Sequence, residues 1–484
     1  MFDRTQWFLA GMSIALSLQL SQPVAAAVPV GKVVQTAQIG TRKAAQKALK
    51  EAEQLYNQGT AEAKRGALVK LEEALKLFRE AGDRAKEVVV LTSIGNIWDD
   101  LGEKLKALEY YSQSLPISRA VGDLPGEAIA LNNIGAVYSD LGEKLKALEY
   151  YSQSLPLSRA VGDRSLEAGI LNNIGAVYSD LGEKLKAVEY YSQSFPLSRA
   201  LGDRRGEANT LNNIGNVYSN LGEKLKALEY YSQSLPLYRT LGDRSGEAGT
   251  LNNIGNVYSA LGEQLKALEY YSQSLPLFRT LGDRSTEATT LNNIGNVYSD
   301  LGEQQKALEY VSQSLPLFRA LGDRAKEAAT LTSIGNVYSA LGEKLKALEY
   351  YNQSLPLSRA LGDRSTEAGT LNSIGSVYSD LGEKLKALEY YNQSLPLSRA
   401  LGDRDGEAAI LKNIGSVYSA LGEQQKALEY YNQSLHLSRA VGDRSTEAGT
   451  LNSIGSVYSA LGEKLKALEY YNQSLHLSRA VGDR

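Results

Sequence analysis

Residues 251–263 read LNNIGNVYSALGE, and nearly the same words stand at 131, 171, 211, 291 and 331. Leu251, Ile254, Gly255, Tyr258 and Leu261 fall at helical spacing and form one apolar stripe. Gly262 ends that helix, because glycine takes the left-handed conformation after a last turn at no steric cost. A second helix follows, with Leu265, Ala267, Leu268, Tyr271, Leu275 and Phe278 as its apolar positions. Gly282 stops it, and Asp283 is placed to cap the next helix by accepting from a free backbone amide. Stop and restart are adjacent, which predicts stiff stacking of one unit on the next.

The unit is 40 residues long. A Gly-Asp pair marks its register from Gly82 to Gly482, so residues 85–484 are ten units without insertion. Residues 41–84 keep Ala67, Leu75 and the Gly82-Asp83 stop, and read as a divergent first hairpin, more polar because one side faces solvent. A stacked array lengthens without a larger central core, so 484 residues need not mean three globular domains.

Composition removes several classes of chemistry. The net charge of −3 gives no general affinity for nucleic acid or anionic lipid. Without cysteine there are no disulfides, thiolate metal sites or cysteine nucleophiles. Serines recur with the repeat, but the only histidines, His436 and His476, are confined to the last two units, so no nucleophile–base–acid set can be assembled. Those histidines stand where Pro116 and its seven equivalents up to Pro396 stand, within the second helix. They read as proline replacements on an outer helix, and the prolines predict a regular bend there. No phosphate-cradling glycine loop is present. Pairs such as Tyr270-Tyr271 put one ring in the core and leave the other partly exposed, and no basic groove accompanies them. Neither cofactor, metal nor nucleic acid is expected.

The N-terminus differs from the rest. Arg4, the apolar run WFLAGMSIALSLQL and the small residues ending at Ala27 have the layout of a secretory signal over 1–27. The run is short of the roughly 20 residues that a membrane span needs. The expectation is an exported protein, with a cytoplasmic or membrane-anchored chain as the alternative and no integral span after signal removal. Residues 28–40 read as a linker.

The pattern L-x2-I-G-x2-Y-x3-G-x4-A-x3-Y-x2-S, at Leu251, Ile254, Gly255, Tyr258, Gly262, Ala267, Tyr271 and Ser274, resembles the tetratricopeptide repeat signature. The period is 40 rather than 34, and the usual late proline is replaced, as by Arg279. The wording is similar to the 40-residue repeats of Pins/LGN-type scaffolds and to the repeat arms of bacterial, especially cyanobacterial, CHAT-domain proteins. The resemblance implies an all-α, right-handed α-solenoid of antiparallel helix pairs whose first helices line a concave groove. Gly255 and Ala267 would let the paired helices approach closely.

Asn252, Asn256 and Ser259 lie on a stripe beside the apolar one, which the resemblance places in that groove. Asn212 with Asn216, Asn252 with Asn256, and Asn292 with Asn296 form a ladder, preceded by Asn132 and Asn172. Each amide carries two donors and an acceptor, suited to the backbone of an extended peptide. Asp140 and Asp180 gather acid toward the N-terminal half, so a partner with a basic segment is expected. The function expected is a non-enzymatic protein-interaction scaffold. The alternatives are the sensor arm of a larger CHAT-type protein, or a rod that self-associates through its uncapped C-terminal end, where Leu475, Leu477 and Val481 would be less covered.

Overall fold

The structure, a computed structural model, describes residues 30–481. The signal expected over 1–27 lies outside them. The described residues form 22 helices in eleven consecutive antiparallel pairs and no strands. None of these helices is long and apolar enough to cross a membrane. The first pair is Val30–Tyr56 with Ala61–Glu80. Ten repeat pairs follow, from Arg84–Asp100 with Lys104–Val121 to Arg444–Ala460 with Lys464–Val481. The first helix of each repeat is called A below and the second B. Most of the segment read as a linker, from Val30 onward, is helical and continues without a break into the terminal hairpin. No glycine–proline stop interrupts residues 30–56, so nothing local ends the helix.

The turns follow the sequence logic. Gly262 and Gly282 have φ of +77° and +71°, the left-handed region that favours glycine. Asp283 caps helix Arg284–Asp300 by accepting from the Thr286 amide at 3.0 Å. Close approach of A and B is explicit at Gly255, where an added Cβ would sit 2.6 Å from Tyr271 Cε1. Ala267 is completely buried.

Two compact units divide between Asn253 and Ile254. In the first, Ala45, Ala48 and Ala52 of the terminal hairpin pack with Ala67, Leu71 and Ala74, and that core continues to Val90, Leu91 and Ile94. In the second, the same pattern recurs: Ala387, Tyr391 and Leu395 of one B helix bury against Leu411, Ile414 and Val417 of the next A helix. Each repeat thus supplies half of two cores and cannot bury its faces alone.

Ion pairs tie the end of each B helix to the next A helix. Arg279 Nε donates to Glu287 Oε1 at 2.9 Å, and Arg284 holds Oε2 at 2.8 Å. Burial pushes the Glu287 carboxyl up, yet the two guanidiniums outweigh it and hold it below its usual range. Arg319, Arg324 and Glu327 repeat the arrangement.

One detail departs from expectation. Leu265 is 73% exposed, not an apolar packing position. Ala267, Tyr271 and Leu275 define the buried stripe, with Leu268 partly buried beside it, and Leu265 lies about 200° around the helix from Ala267. The prolines sit inside unbroken helices such as Lys104–Val121. Pro116 and Ser112, whose carbonyl it frees, are both exposed, so water can meet that carbonyl. His436 is likewise exposed at its place. Leu475 is 48% exposed where Leu435, one repeat earlier, is 7%.

Candidate functional site

Within each unit, A helices of successive repeats pack on one another as well as on their own B helices: Arg284–Asp300 meets Arg324–Ala340, and Arg324–Ala340 meets Arg364–Asp380. Among the described residues, successive B helices are less closely associated. Converging helices mark the inner side of a stack, so the A helices line it. On helix Arg324–Ala340 the inner stripe is Ala329, Ser333, Asn336 and Ala340, spaced for one face and all at least partly exposed.

Asparagines recur at two places on this stripe, those of Ser333 and Asn336, and at the Thr332 place beside it; at the Asn336 place the carbonyl turns inward. Asn256 Oδ1 accepts from the hydroxyl of Tyr271, in its own B helix, at 2.6 Å. A second bond arrives from the next repeat, Asn293 Nδ2 donating at 3.0 Å. Asn216 accepts likewise from Tyr231 at 2.7 Å and Asn253 at 2.9 Å. Asn336 accepts from Tyr351 at 2.7 Å and from the Ser373 hydroxyl at 3.1 Å. Burial pushes the hydroxyls of Tyr231, Tyr271 and Tyr351 well above the ordinary range, so they stay protonated and keep donating.

Where alanine or serine replaces the third asparagine, the incoming amide moves to the first. Asn173 Nδ2 reaches Asn132 Oδ1 at 3.2 Å, Asn213 reaches Asn172 at 3.3 Å, and Asn413 reaches Asn372 at 3.1 Å. Asn172 and Asn252 are largely buried, and Asn212 accepts from Thr250 at 3.2 Å. These asparagine bonds join one repeat to the next. The amino groups of Asn216, Asn256 and Asn336 take no part in these bonds and donate to no group among the described residues. The stripe offers donors more than acceptors.

The acid expected to draw a basic segment is already paired. Asp140 takes the Lys104 ammonium at 2.5 Å, and Asp180 takes that of Lys144 at 2.5 Å. Each lysine opens the B helix of the preceding repeat, so the pairs link repeats at the turns. Charge complementarity to a basic segment loses its basis there.

Sequence reasoning passed over the second asparagines, Asn133, Asn173, Asn213, Asn253, Asn293 and Asn413, which carry bonds between repeats. The signal was present: a polar residue beside each ladder position, one repeat on. A helical wheel shows only one helix, and these contacts span 37 or 41 residues. Rings above the lysine-bearing turns form a further regular feature. Tyr258 and Tyr270 stack at 5.5 Å, and the Lys266 ammonium lies 5.1 Å from the Tyr258 ring centroid. Tyr271 is buried while Tyr270 is partly exposed.

Models of the tetratricopeptide repeat match residues 100–160, 166–240, 246–320, 286–360, 366–440 and 448–480. No curated protein matches the chain. Among solved structures, it is similar to a STAND protein with a tetratricopeptide repeat sensor from Pyrococcus horikoshii, at 15% identity and TM-score 0.59, over 76% of this chain and 55% of that one. A Rap protein complexed with Competence and Sporulation Factor gives 15% identity and TM-score 0.53, over 74% of this chain and 99% of that one. Aspartyl phosphate phosphatase F from Bacillus subtilis gives 13% identity and TM-score 0.52, over 73% and 94%. At these identities the likeness is one of fold.

Proposed function

Because the chain belongs to the tetratricopeptide repeat family, we propose that it is a non-enzymatic protein-interaction scaffold whose inner A-helix stripe binds an extended segment of another polypeptide. The observation that carries this reading is the division of labour within the asparagine amides. Their carbonyls are held by tyrosine and by the next repeat, and their amino groups are left over. Pre-oriented donors at a 40-residue repeat suit the carbonyls of an extended main chain, with little demand on its side chains. The fold shared with a Rap protein that carries Competence and Sporulation Factor is in keeping with it.

The test uses the full chain and a displayed library of random twelve-residue peptides. N256D and N336D keep an acceptor oxygen for Tyr271 and Tyr351 and remove the outward amino group. Selected peptides are expected to lose affinity for both variants. Retention of every peptide at wild-type affinity would sink the reading.

A second reading makes the chain the sensor arm of a larger protein. It is favoured by the STAND protein, whose repeat sensor is one part of a longer chain. Export, with residues 1–27 removed, belongs to the first reading. Intact mass of the native protein separates the two, since an arm would arrive as part of a much heavier chain.

A further inference from the structure

Most B helices carry, at their second position, an exposed leucine that no core uses. In the first compact unit the row is unbroken: Leu105, Leu145, Leu185 and Leu225 are 71–76% exposed. In the second unit glutamine interrupts it, at Gln305 and Gln425. A single exposed leucine needs no explanation, but an aligned row does. The row is aligned because the turns that carry it are tied in series. Lys104 reaches Asp140 at 2.5 Å, Lys144 reaches Asp180 at 2.5 Å, and Lys184 donates to the Asn220 carbonyl at 2.5 Å. Leu141 and Leu181, each 40% exposed at the end of an A helix, widen the apolar strip at the turns of the second and third repeats.

We propose that this edge is where two copies of the chain meet, antiparallel about a two-fold axis, leucine row against leucine row. The pitch selects the partner. Successive leucines stand about a helix width apart, roughly 10–12 Å, so a facing row interlocks along its length only if it repeats at the same interval. A second copy does so by construction. Charge is equally matched. Each turn carries two acids and two bases, in the second repeat Glu143 and Glu149 with Lys144 and Lys146, so identical edges meet without net repulsion. Lys146 already holds Glu143 of its own turn. Glu149, one helical turn beyond Leu145 on the same face, is exposed and has no ion pair among the described residues. It is placed to receive a lysine of the other copy. Size suffices as well. Glu143, Leu145, Lys146, Glu149 and Ser152 are exposed, and so are their counterparts in the other three turns, twenty residues in all. A stable interface uses roughly 20–30 residues on each side. A bilayer surface would ask for a basic rim around the leucines, which the acids cancel here. The edge and the asparagine stripe share no residue, so one can fail without the other.

The test is the mass of the full chain in solution, followed by sedimentation equilibrium over a wide range of concentration. Glutamine is the replacement to use, because Gln305 and Gln425 occupy the same position in intact helices. Wild type is expected to reach twice the chain mass as concentration rises. L145Q combined with L185Q should raise the dimer dissociation constant by roughly a hundredfold, since each copy loses two leucines from the interface. L345Q combined with L385Q, at equally exposed leucines of the second unit, should leave it unchanged. Circular dichroism checks that each variant keeps its helices. Should the first pair fail that check, E149K decides, and a weaker dimer is expected from it. A wild-type chain that keeps a single mass throughout overturns the proposal; its binding to phosphatidylcholine vesicles would then assign the edge to a bilayer. Equal weakening by both leucine pairs also overturns it, because association then follows leucine content and not this edge. A dimer that L145Q with L185Q leaves intact is held elsewhere, and overturns it likewise.

Discussion

Helix Arg364–Asp380 carries two glycines whose replacement by alanine should act in opposite directions. Gly369 is exposed, and an added Cβ there meets nothing within 4 Å. Alanine at that site gains its helix propensity, about 1 kcal/mol. Gly375 faces the Tyr391 ring, where a Cβ would lie 2.6 Å from Cε1 and 2.7 Å from Cδ1. Ordinary carbon contacts are about 3.5–4.0 Å, so the ring must retreat by roughly 1 Å. Tyr391 is 2% exposed and belongs to the core with Leu395 and Ile414, which leaves it little room. Overpacking of this kind costs about 1–3 kcal/mol, offset in part by the same propensity gain. The propensity gain is common to both, so the two variants should differ by the overpacking cost, about 1–3 kcal/mol, or roughly five- to 150-fold in local opening. Hydrogen exchange followed by mass spectrometry on the full chain reads this locally, which matters because a repeat array does not unfold in two states. Peptides from residues 364–401 should exchange more slowly in G369A and faster in G375A. Equal protection in both would refute the close packing of glycine on ring that sets the distance between A and B helices.

Other predictions follow from the same contacts. E287Q keeps the shape of the clamp and removes its charge; with Arg279 and Arg284 about half exposed, the expected loss is about 1 kcal/mol, read as faster exchange across 279–290. D363A removes the bond from the Thr366 amide at 3.1 Å and should cost about 1 kcal/mol, visible in the same assay over the start of that A helix. Burial raises Tyr231, Tyr271 and Tyr351 above their ordinary value, so the folded chain keeps protons that the unfolded chain releases above about pH 10. Stability should be level below that pH and fall as it rises further, and melting curves against pH with absorbance of ionised tyrosine check both. An exported protein should begin at Val28 on N-terminal sequencing of material from its source; a start at Met1 would count against export.

Much of this architecture can be read locally. Gly262, Gly282 and Asp283 announce the turns and caps because each acts within four residues of itself. Leu251, Ile254 and Tyr271 announce the core because burial follows helical period. Leu265 misleads, since a leucine at the second position of a B helix looks apolar whichever way the helix turns. The asparagine stripe is visible as a pattern, but its division into held carbonyls and free amino groups is not. That division depends on Tyr271 and Asn293, which lie 15 and 37 residues away. The acids Asp140 and Asp180 look free for the same reason, their lysine partners being 36 residues distant.

The central claim is that polypeptide binds along the A-helix stripe. A photocross-linking residue at Ala329, exposed on that stripe, and another at Pro316, exposed on a B helix, can be compared in separate versions of the full chain. Each is irradiated with the selected peptide, and adducts are mapped by mass spectrometry. The account predicts adducts at position 329 and none at 316. Equal labelling at both positions, or labelling at 316 alone, would contradict it.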